Sequence, residues 1–309
     1  MVDEHIWGEV GRISPEAPVI VVDAQDFECR PGGAANVVNN VRALGAQASV
    51  IGIVGDDEHG RKLIDILSST GVDVSGMVID PLRPTTRKTR IWASHRQQVV
   101  RVDWESRNPV PTELSEKIRR HIQREMELCD AIILSDYNKG MLIPDVVSAA
   151  IEGALTSNKV CTCNAKPDKV HYFAHVTALT LNLAEAEAVL GRRLTDEASI
   201  SDGGCALLKQ LAPSNLVITR GSRGLALFER GSKVTYVPGM PIEVYDVAGA
   251  GDTVISTLTL ALASNVTPVD AAKLANAAGG AVVRKVGVAT TTPEEIAQLL
   301  DGQSLEKND

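Results

Sequence analysis

The run AIILSDYNKG, residues 131–140, begins with four apolar residues and turns polar within two positions. Other runs share the apolar character and the length of a strand: ASVIGIVG (48–55), KVCTCNA (159–165), ALTLN (178–182) and NLVITRG (215–221). Helical patterns stand beside them at 57–70, 112–128, 144–156, 184–190 and 198–211. Near-continuous apolar strands alternating with helices predict a mainly parallel sheet covered on both faces, a doubly wound α/β fold. Two segments break the rhythm. APVIVVDAQDFECR (17–30) and TTRKTRIWASHRQQVVRVDWE (85–105) alternate polar and apolar residues, as strands with one wet face do. They predict a small antiparallel β lid, spanning about 12–30 and 85–105, inserted in one domain that covers residues 1–309.

The 309 residues carry a net charge of −8 and 44% hydrophobic residues. A full core is affordable, and a nucleic-acid or anionic-membrane surface is disfavoured because phosphate backbones need clustered Lys and Arg. No apolar run of bilayer length occurs, and MVDEHIWGEV lacks the basic and apolar regions of a secretory signal. Five cysteines without a CxxC pair suit reduced thiols. A cytoplasmic location is therefore expected.

Open α/β sheets bind ligands at the carboxyl ends of their strands. SDYNKG, NLAEAE (182–187) and TRGSRG (219–224) each follow an apolar run, and AGAGDT (248–253) opens a helix after the β-like IEVYDV (242–247). In AGAGDT, Gly249, Ala250 and Gly251 expose the unpaired N–H groups of a helix start, a ready anion site. Asp252 then has two readings, a helix cap or a general base beside that site. Gly32 and Gly33, with Asn36 in the following helix, suit either a tight turn or close approach to a sugar. Asn182 and Glu185 open a helix as caps or as oxygen ligands that hold Mg²⁺ through water. Gly221 and Gly224 turn a hairpin that is either plain or a shelf for a nucleotide. No GxxxxGK[ST] sequence occurs, and the Gly-rich stretch lies far from the first strand, which excludes a P-loop and a Rossmann dinucleotide site. Cys161 and Cys163, with His171 and His175 at i,i+4, offer a zinc set, but zinc cysteines are usually spaced more widely and free cysteine is a common core residue.

In this order, PGGAANVVNNVRALGA, SDYNKG, NLAEAE, TRGSRG and DVAGAGDT resemble the ribokinase-like (PfkB) sugar kinase family along essentially the whole chain. RISPEAPV, the 85–105 segment, LSDYNKGML and YDVAGAGDTVI further resemble the kinase module of heptose 7-phosphate kinase/ADP-heptose synthase proteins. The resemblance implies an enzyme that uses ATP and Mg²⁺ to phosphorylate the anomeric hydroxyl of a heptose 7-phosphate. Asp252 is implied as the base, with Gly249, Ala250 and Gly251 at the anion hole. Asn182 and Glu185 match the Mg²⁺ and phosphate motif, and Thr219, Gly221, Gly224 and Asn276 fall where ATP is held. Asp3, Gly32, Gly33, Asn36, Arg101, Asp136 and Lys139 fall on the sugar side, where Arg101 and Lys139 suit a phosphorylated acceptor. A homodimer in which each lid closes its partner's site is implied too.

Three departures stand out. Family members begin with a strand and a GD pair ahead of the segment matched by MVDEHIWGEV, so a central place in the sheet and the anchorage of Asp3 are expected to be affected. Asn164 in NAKP replaces a common acid. The nucleotidyltransferase module of bifunctional relatives is not matched, which implies a separate polypeptide for that step. Two other readings remain open: a PfkB kinase for fructose, ribose or a nucleoside, and a non-catalytic sugar-phosphate or nucleotide binder.

Overall fold

The structure, a computed structural model, describes residues 1–93 and 97–302. The apolar runs form the body as the sequence predicts. Strands β7 (Ala131–Ser135), β8 (Val160–Asn164), β9 (Ala178–Asn182) and β10 (Asn215–Thr219) pair in parallel, each to the next. β11 (Leu225–Glu229) and β12 (Thr235–Val237) extend this sheet antiparallel, giving six strands in the order β12-β11-β10-β9-β8-β7. A separate parallel pair, β3 (Ser49–Gly55) and β4 (Asp73–Asp80), is joined by α2 (Glu58–Ser69).

Alternation along single strands shows why the apolar runs are continuous. Leu216 and Ile218 of β10 pack into a large core that includes residues of α3 (Thr112–Leu128), α4 (Pro144–Thr156) and α6 (Glu197–Leu211), whereas Val217 between them joins a second core with α7 (Ala250–Ala263) and α8 (Pro268–Val282). Successive side chains of a strand point to opposite faces, so a sheet buried on both sides needs both sets apolar. Cys161 and Cys163 point into the first core, and burial pushes their thiols up, Cys161 to about 12. His171 and His175 are exposed instead. The four side chains do not meet as a zinc set, and no cluster of three or more metal-ligating side chains occurs among the described residues. No helix among them is long and apolar enough to cross a membrane.

The lid is a four-stranded sheet, order β2-β1-β5-β6, built from β1 (Val2–Ile13), β2 (Ile20–Pro31), β5 (Arg87–Ala93) and β6 (Gln97–Trp104). It starts ten residues earlier than the predicted 12–30 boundary, because β1 runs the length of β2 in one long hairpin. Two of its pairings are antiparallel, but β1 and β5 pair in parallel, which brings the chain start beside the 85–105 segment. His5, Trp7 and Trp92 stack face to face in its middle, the two indoles 5.0 Å apart. Asp3 is anchored after all: it is 3% exposed and bound by the Arg90 guanidinium of β5.

The β-like reading of IEVYDV fails. Residues 242–247 form no strand, and Val244, Tyr245 and Val247 are exposed. Their backbone is tied instead to the turn after α8, where the Tyr245 N–H donates to Val283 O. Asp246 Oδ2 accepts the Gly287 N–H at 2.9 Å.

One carboxylate joins body to lid. Asp57 caps α2 by accepting the Gly60 N–H, and its other oxygen accepts the Thr85 N–H just ahead of β5, both at 2.8 Å. Burial raises its pKa, but the bonds from Thr85 and Gly60 outweigh that and hold it below the usual carboxylate value. Asp57→Ala is expected to lower stability by about 1–2 kcal/mol, the worth of a lost cap. It should appear as a lower urea midpoint with an unchanged slope.

Candidate active site

Helix α7 starts where the sequence places it. Gly249 is its N-cap, in the left-handed region at φ 80°, and a Cβ there would lie 2.9 Å from Asn36 Nδ2. Only glycine combines that backbone with so close a neighbour. Ala250, Gly251 and Asp252 form the first turn, and no side chain caps its N–H groups. Asp252 is therefore not the cap of this helix. Its carboxylate turns away from the helix start: Oδ2 accepts from Asn36 Nδ2 at 2.8 Å and Oδ1 accepts from the Tyr137 hydroxyl. The residue is 5% exposed. Burial pushes its pKa up to about 6, against the lowering effect of the Asn36 and Tyr137 bonds, with Asp3 adding to the rise.

Tyr137 was not singled out by sequence reasoning. The signal was its place inside SDYNKG, between Asp136 and Lys139 and directly after a strand end. Its phenol is pushed well above its ordinary value, first by burial and then by the Asp252 charge, so it stays a donor.

One wall of the site comes from the lid and α1 (Ala34–Ala43). The Asp3 carboxylate lies against Gly32, where a Cβ would approach Asp3 Oδ2 to 2.1 Å, so glycine is required for this contact. Gly33 caps α1 and Asn36 lies in its first turn. Arg101 of β6 stands opposite Arg90 of β5 in the register, on the lid face that carries the Arg90–Asp3 pair, and it pairs with Asp103. Asp136 is 5% exposed and its pKa is raised by burial; one oxygen accepts the Asn138 N–H at 2.7 Å. Lys139 is paired with Glu105, which follows β6. The structure thus joins Asp3, Gly32, Gly33, Asn36 and Asp252 directly, and leaves Arg101 and Lys139 in ion pairs of their own.

The other wall is a row of strand ends. Ser135 is the register partner of Asn164, and Asn182 that of Thr219. Asn164 faces the glycine loop, with Nδ2 3.7 Å from the position of a Cβ on Gly251. Asn182 and Glu185 form a reciprocal capping box at the start of α5 (Leu183–Leu190), and Glu185 Oε1 also accepts from Lys166 Nζ at 2.6 Å. Gly221 and Gly224 turn the β10–β11 hairpin through a single 3-10 turn. Asn276 of α8 donates to Pro238 O at 2.9 Å, holding the 238–239 backbone against Gly224. Thr219, Gly221, Gly224 and Asn276 therefore surround one ledge beside Asn182.

A buried carboxylate with a raised pKa, beside a helix N-terminus that no side chain caps and near a row of polar strand ends, suits a small-molecule phosphotransferase. The comparisons with known proteins make the class definite. Residues 5–295 match the pfkB family carbohydrate kinase model, and the chain belongs to that family. It is 45% identical over 296 residues to the bifunctional protein HldE of Geobacter metallireducens and 43% identical over 303 residues to that of Geobacter sulfurreducens. These matches cover 96% and 98% of this chain, which spans only 60% and 62% of those relatives' length. Among solved structures, phosphofructokinase-2 from Escherichia coli in complex with potassium superposes with a TM-score of 0.80 at 17% identity, over 97% of this chain and 95% of that one. Ribokinase from Arabidopsis thaliana, complexed with ribose and ATP, gives 0.73 at 17% over the same shares. At these identities the two support the fold.

Asp252 also leaves a stability signature. An unfolded aspartate titrates near 3.9, so between that value and about 6 the folded chain holds the extra proton. Stability therefore falls as pH rises through this window, and the ionised carboxylate costs about 3 kcal/mol above it. Asp252→Asn, which the Tyr137 hydroxyl can meet by turning to accept, is expected to melt higher than the parent at pH 7.5. The advantage should shrink as pH falls through 6, read as the difference in Tm across a pH series.

Proposed function

We propose that the chain transfers the γ-phosphoryl group of ATP to the anomeric hydroxyl of a heptose 7-phosphate, giving the 1,7-bisphosphate, and that it acts in the cytoplasm. The observation that carries the reading is the Asp252 carboxylate: buried, raised to about 6, and held by Asn36 and Tyr137 beside the uncapped start of α7. At neutral pH it is ionised yet poorly solvated, which suits a base that takes the proton of an acceptor hydroxyl. The N–H groups of Gly249 to Gly251 at this helix start would stabilise charge on a phosphoryl group in transfer, Ala250 by releasing its bond to Val247 O. Asp3, Gly32, Gly33, Asn36 and Asp136 orient the sugar. Arg101 and Lys139, each now in a pair with a lid carboxylate, supply cations for its phosphate. The ledge of Asn182, Thr219, Gly221, Gly224 and Asn276 holds the nucleotide.

Mg²⁺ fits this donor set in one way. Both Glu185 oxygens already accept bonds, from the Asn182 N–H and from Lys166, so the residues suit a cation carried mainly by nucleotide phosphates and water, with Glu185 bound through a water. The cation would neutralise phosphate charge there. The heptose is favoured by the identity of 45% and 43% to the HldE proteins of the two Geobacter species. A nucleotidyltransferase activity would act downstream of the product.

A phosphate-transfer assay with ATP and a panel of sugars and sugar phosphates tests the reading; turnover confined to unphosphorylated hexoses, ribose or nucleosides refutes the acceptor, and ligand binding without product refutes the enzyme. Asp252→Asn is expected to lower kcat by about 10²–10⁴ while ATP affinity holds. The parent's kcat/KM should decline as pH falls through about 6. Tyr137→Phe, which removes a bond that favours the ionised form, should move that limb upward.

We also propose a homodimer through the lid. Val100, Val102 and Trp104 of β6 alternate with Arg101, so they share the face away from the site, and all three are exposed. Val100→Glu with Val102→Glu is expected to convert the dimer to monomer in sedimentation velocity; an unchanged sedimentation coefficient would locate the contact elsewhere.

A further inference from the structure

β8 lies between β7 and β9, with Asn164 the register partner of Ser135 on one side and of Thr180 on the other. The chain that leaves it, through Asn164, Ala165 and Lys166, therefore emerges between the strand that leads to Tyr137 and the strand that leads to Glu185. The Asp136 N–H donates to Asn164 O at 3.0 Å and ties the first two of these ends together. Asn164 Nδ2 lies 3.7 Å from the position of a Cβ on Gly251, so the same segment also reaches the glycine loop of α7.

Lys166 Nζ donates to Glu185 Oε1 at 2.6 Å. The lysine side chain is 37% exposed and that of Glu185 only 12%, so the ammonium is the member of the pair that opens on solvent. Other cations around the site are held differently. Arg90, Arg101 and Lys139 are paired with Asp3, Asp103 and Glu105, acids of the lid strands and of the turn after β6. Arg220 lies over the Tyr236 ring and donates to Arg223 O. Lys166 is instead paired with an acid on the nucleotide side, and its charge reaches across to Asp252: burial raises the pKa of that carboxylate most, and Lys166 is the cation that opposes the rise.

We propose that Lys166 is a further catalytic residue, whose ammonium leaves Glu185 and binds the oxygens of the γ-phosphoryl group as that group passes from the nucleotide to the acceptor. The inference rests on the kinase reading and deepens it. In the step, the bond from the γ-phosphorus to the bridging oxygen breaks and leaves its electron pair on ADP. A bond from the acceptor oxygen to phosphorus forms, and the acceptor proton goes to Asp252. Lys166 keeps its own protons throughout. Negative charge is spread over the equatorial oxygens of the group in transfer, and the start of α7 offers them N–H dipoles without a full charge. A lysine meets the remaining need, because its ammonium is a compact point charge on a flexible stem and can follow a moving group. Glu185 is a suitable resting partner: its other oxygen already accepts the Asn182 N–H, so it holds Lys166 through one oxygen alone. Release of Lys166 leaves that oxygen free to accept from a water.

The full chain is compared with Lys166→Met and Lys166→Arg. Calorimetry in Mg²⁺ measures binding of ADP alone and of ADP with aluminium fluoride, a mimic of the phosphoryl group in transfer, beside the acceptor that the sugar panel identifies. Lys166→Met is expected to bind ADP within about threefold of the parent, which also reports an intact fold, and to bind the mimic about 10²–10³ more weakly, with kcat lowered by a similar factor. Lys166→Arg, which keeps the charge, should recover roughly tenfold or more of both losses. Asp252 is faced by Asn36 from α1, Asp3 from β1, Tyr137 after β7 and Lys166 after β8. Removal of the one cation in this set should move the acid limb of kcat/KM upward from about 6 in Lys166→Met. Equal loss of affinity for ADP and for the mimic overturns the proposal, since Lys166 would then only brace Glu185 and the nucleotide ledge. A Lys166→Met kcat within about fivefold of the parent's overturns it as well. The parent tells the two failures apart. If it transfers phosphate to no acceptor and binds the mimic no more tightly than ADP, the kinase reading falls and the proposal with it. If it tightens on the mimic, and Asp252→Asn loses turnover while Lys166→Met does not, the reading stands and the proposal alone falls.

Discussion

The contact between α1 and α7 is the constraint on which the rest depends. Asn36 donates to Asp252, Thr253 Oγ1 donates to Asn40 Oδ1 at 2.8 Å, and Ser256 Oγ donates to Val37 O at 3.2 Å. These bonds climb one buried interface between residues more than 200 positions apart. An apolar interface would pack as well and cost less, since each buried polar group must recover its lost hydration. What the polar ladder adds is register. A helix that slid or rolled by one residue would leave several buried donors and acceptors unmatched, so Gly249, Asp252 and the diglycine are held in one relation.

That relation carries an internal conflict. The same burial that fixes Asp252 also makes its charge expensive, and Asn36 and Tyr137 recover only part of the loss. A carboxylate kept half-satisfied is poised to accept a proton; one fully bonded to backbone N–H groups, as Asp57 is, sits below its ordinary value and is a poor acceptor. The chain uses the same residue type for both purposes, and the surroundings decide which.

The strands and helices of the body were legible because both faces of the sheet are buried, so the apolar runs have almost no polar interruptions. The site was legible where a motif follows such a run: Asn182, Thr219 and Asp136 lie at aligned strand ends. Other parts were hidden for physical reasons. IEVYDV alternates like a strand, yet its polar groups are spent on the turn after α8. The N-terminal segment reads as β-like from the sequence, but its partners do not: Val2–Ile13 finds β2 and β5 only through long-range pairing. Whether Asp252 caps or faces inward could not be read locally, because the deciding partners, Asn36 and Tyr137, come from distant segments. Tyr137 looked like one more loop residue until its hydroxyl found that carboxylate.

The stacked indoles of the lid have an optical consequence. The chain has three tryptophans, and all of them, Trp7, Trp92 and Trp104, belong to the lid sheet. Trp7 and Trp92 lie 5.0 Å apart, close enough for their excited states to couple, while Trp104 is half exposed beneath the Arg87 guanidinium. Emission excited at the indole edge therefore belongs to one sheet, and the α/β body is dark at that wavelength. A single cuvette reading follows the lid separately from the scaffold that carries it.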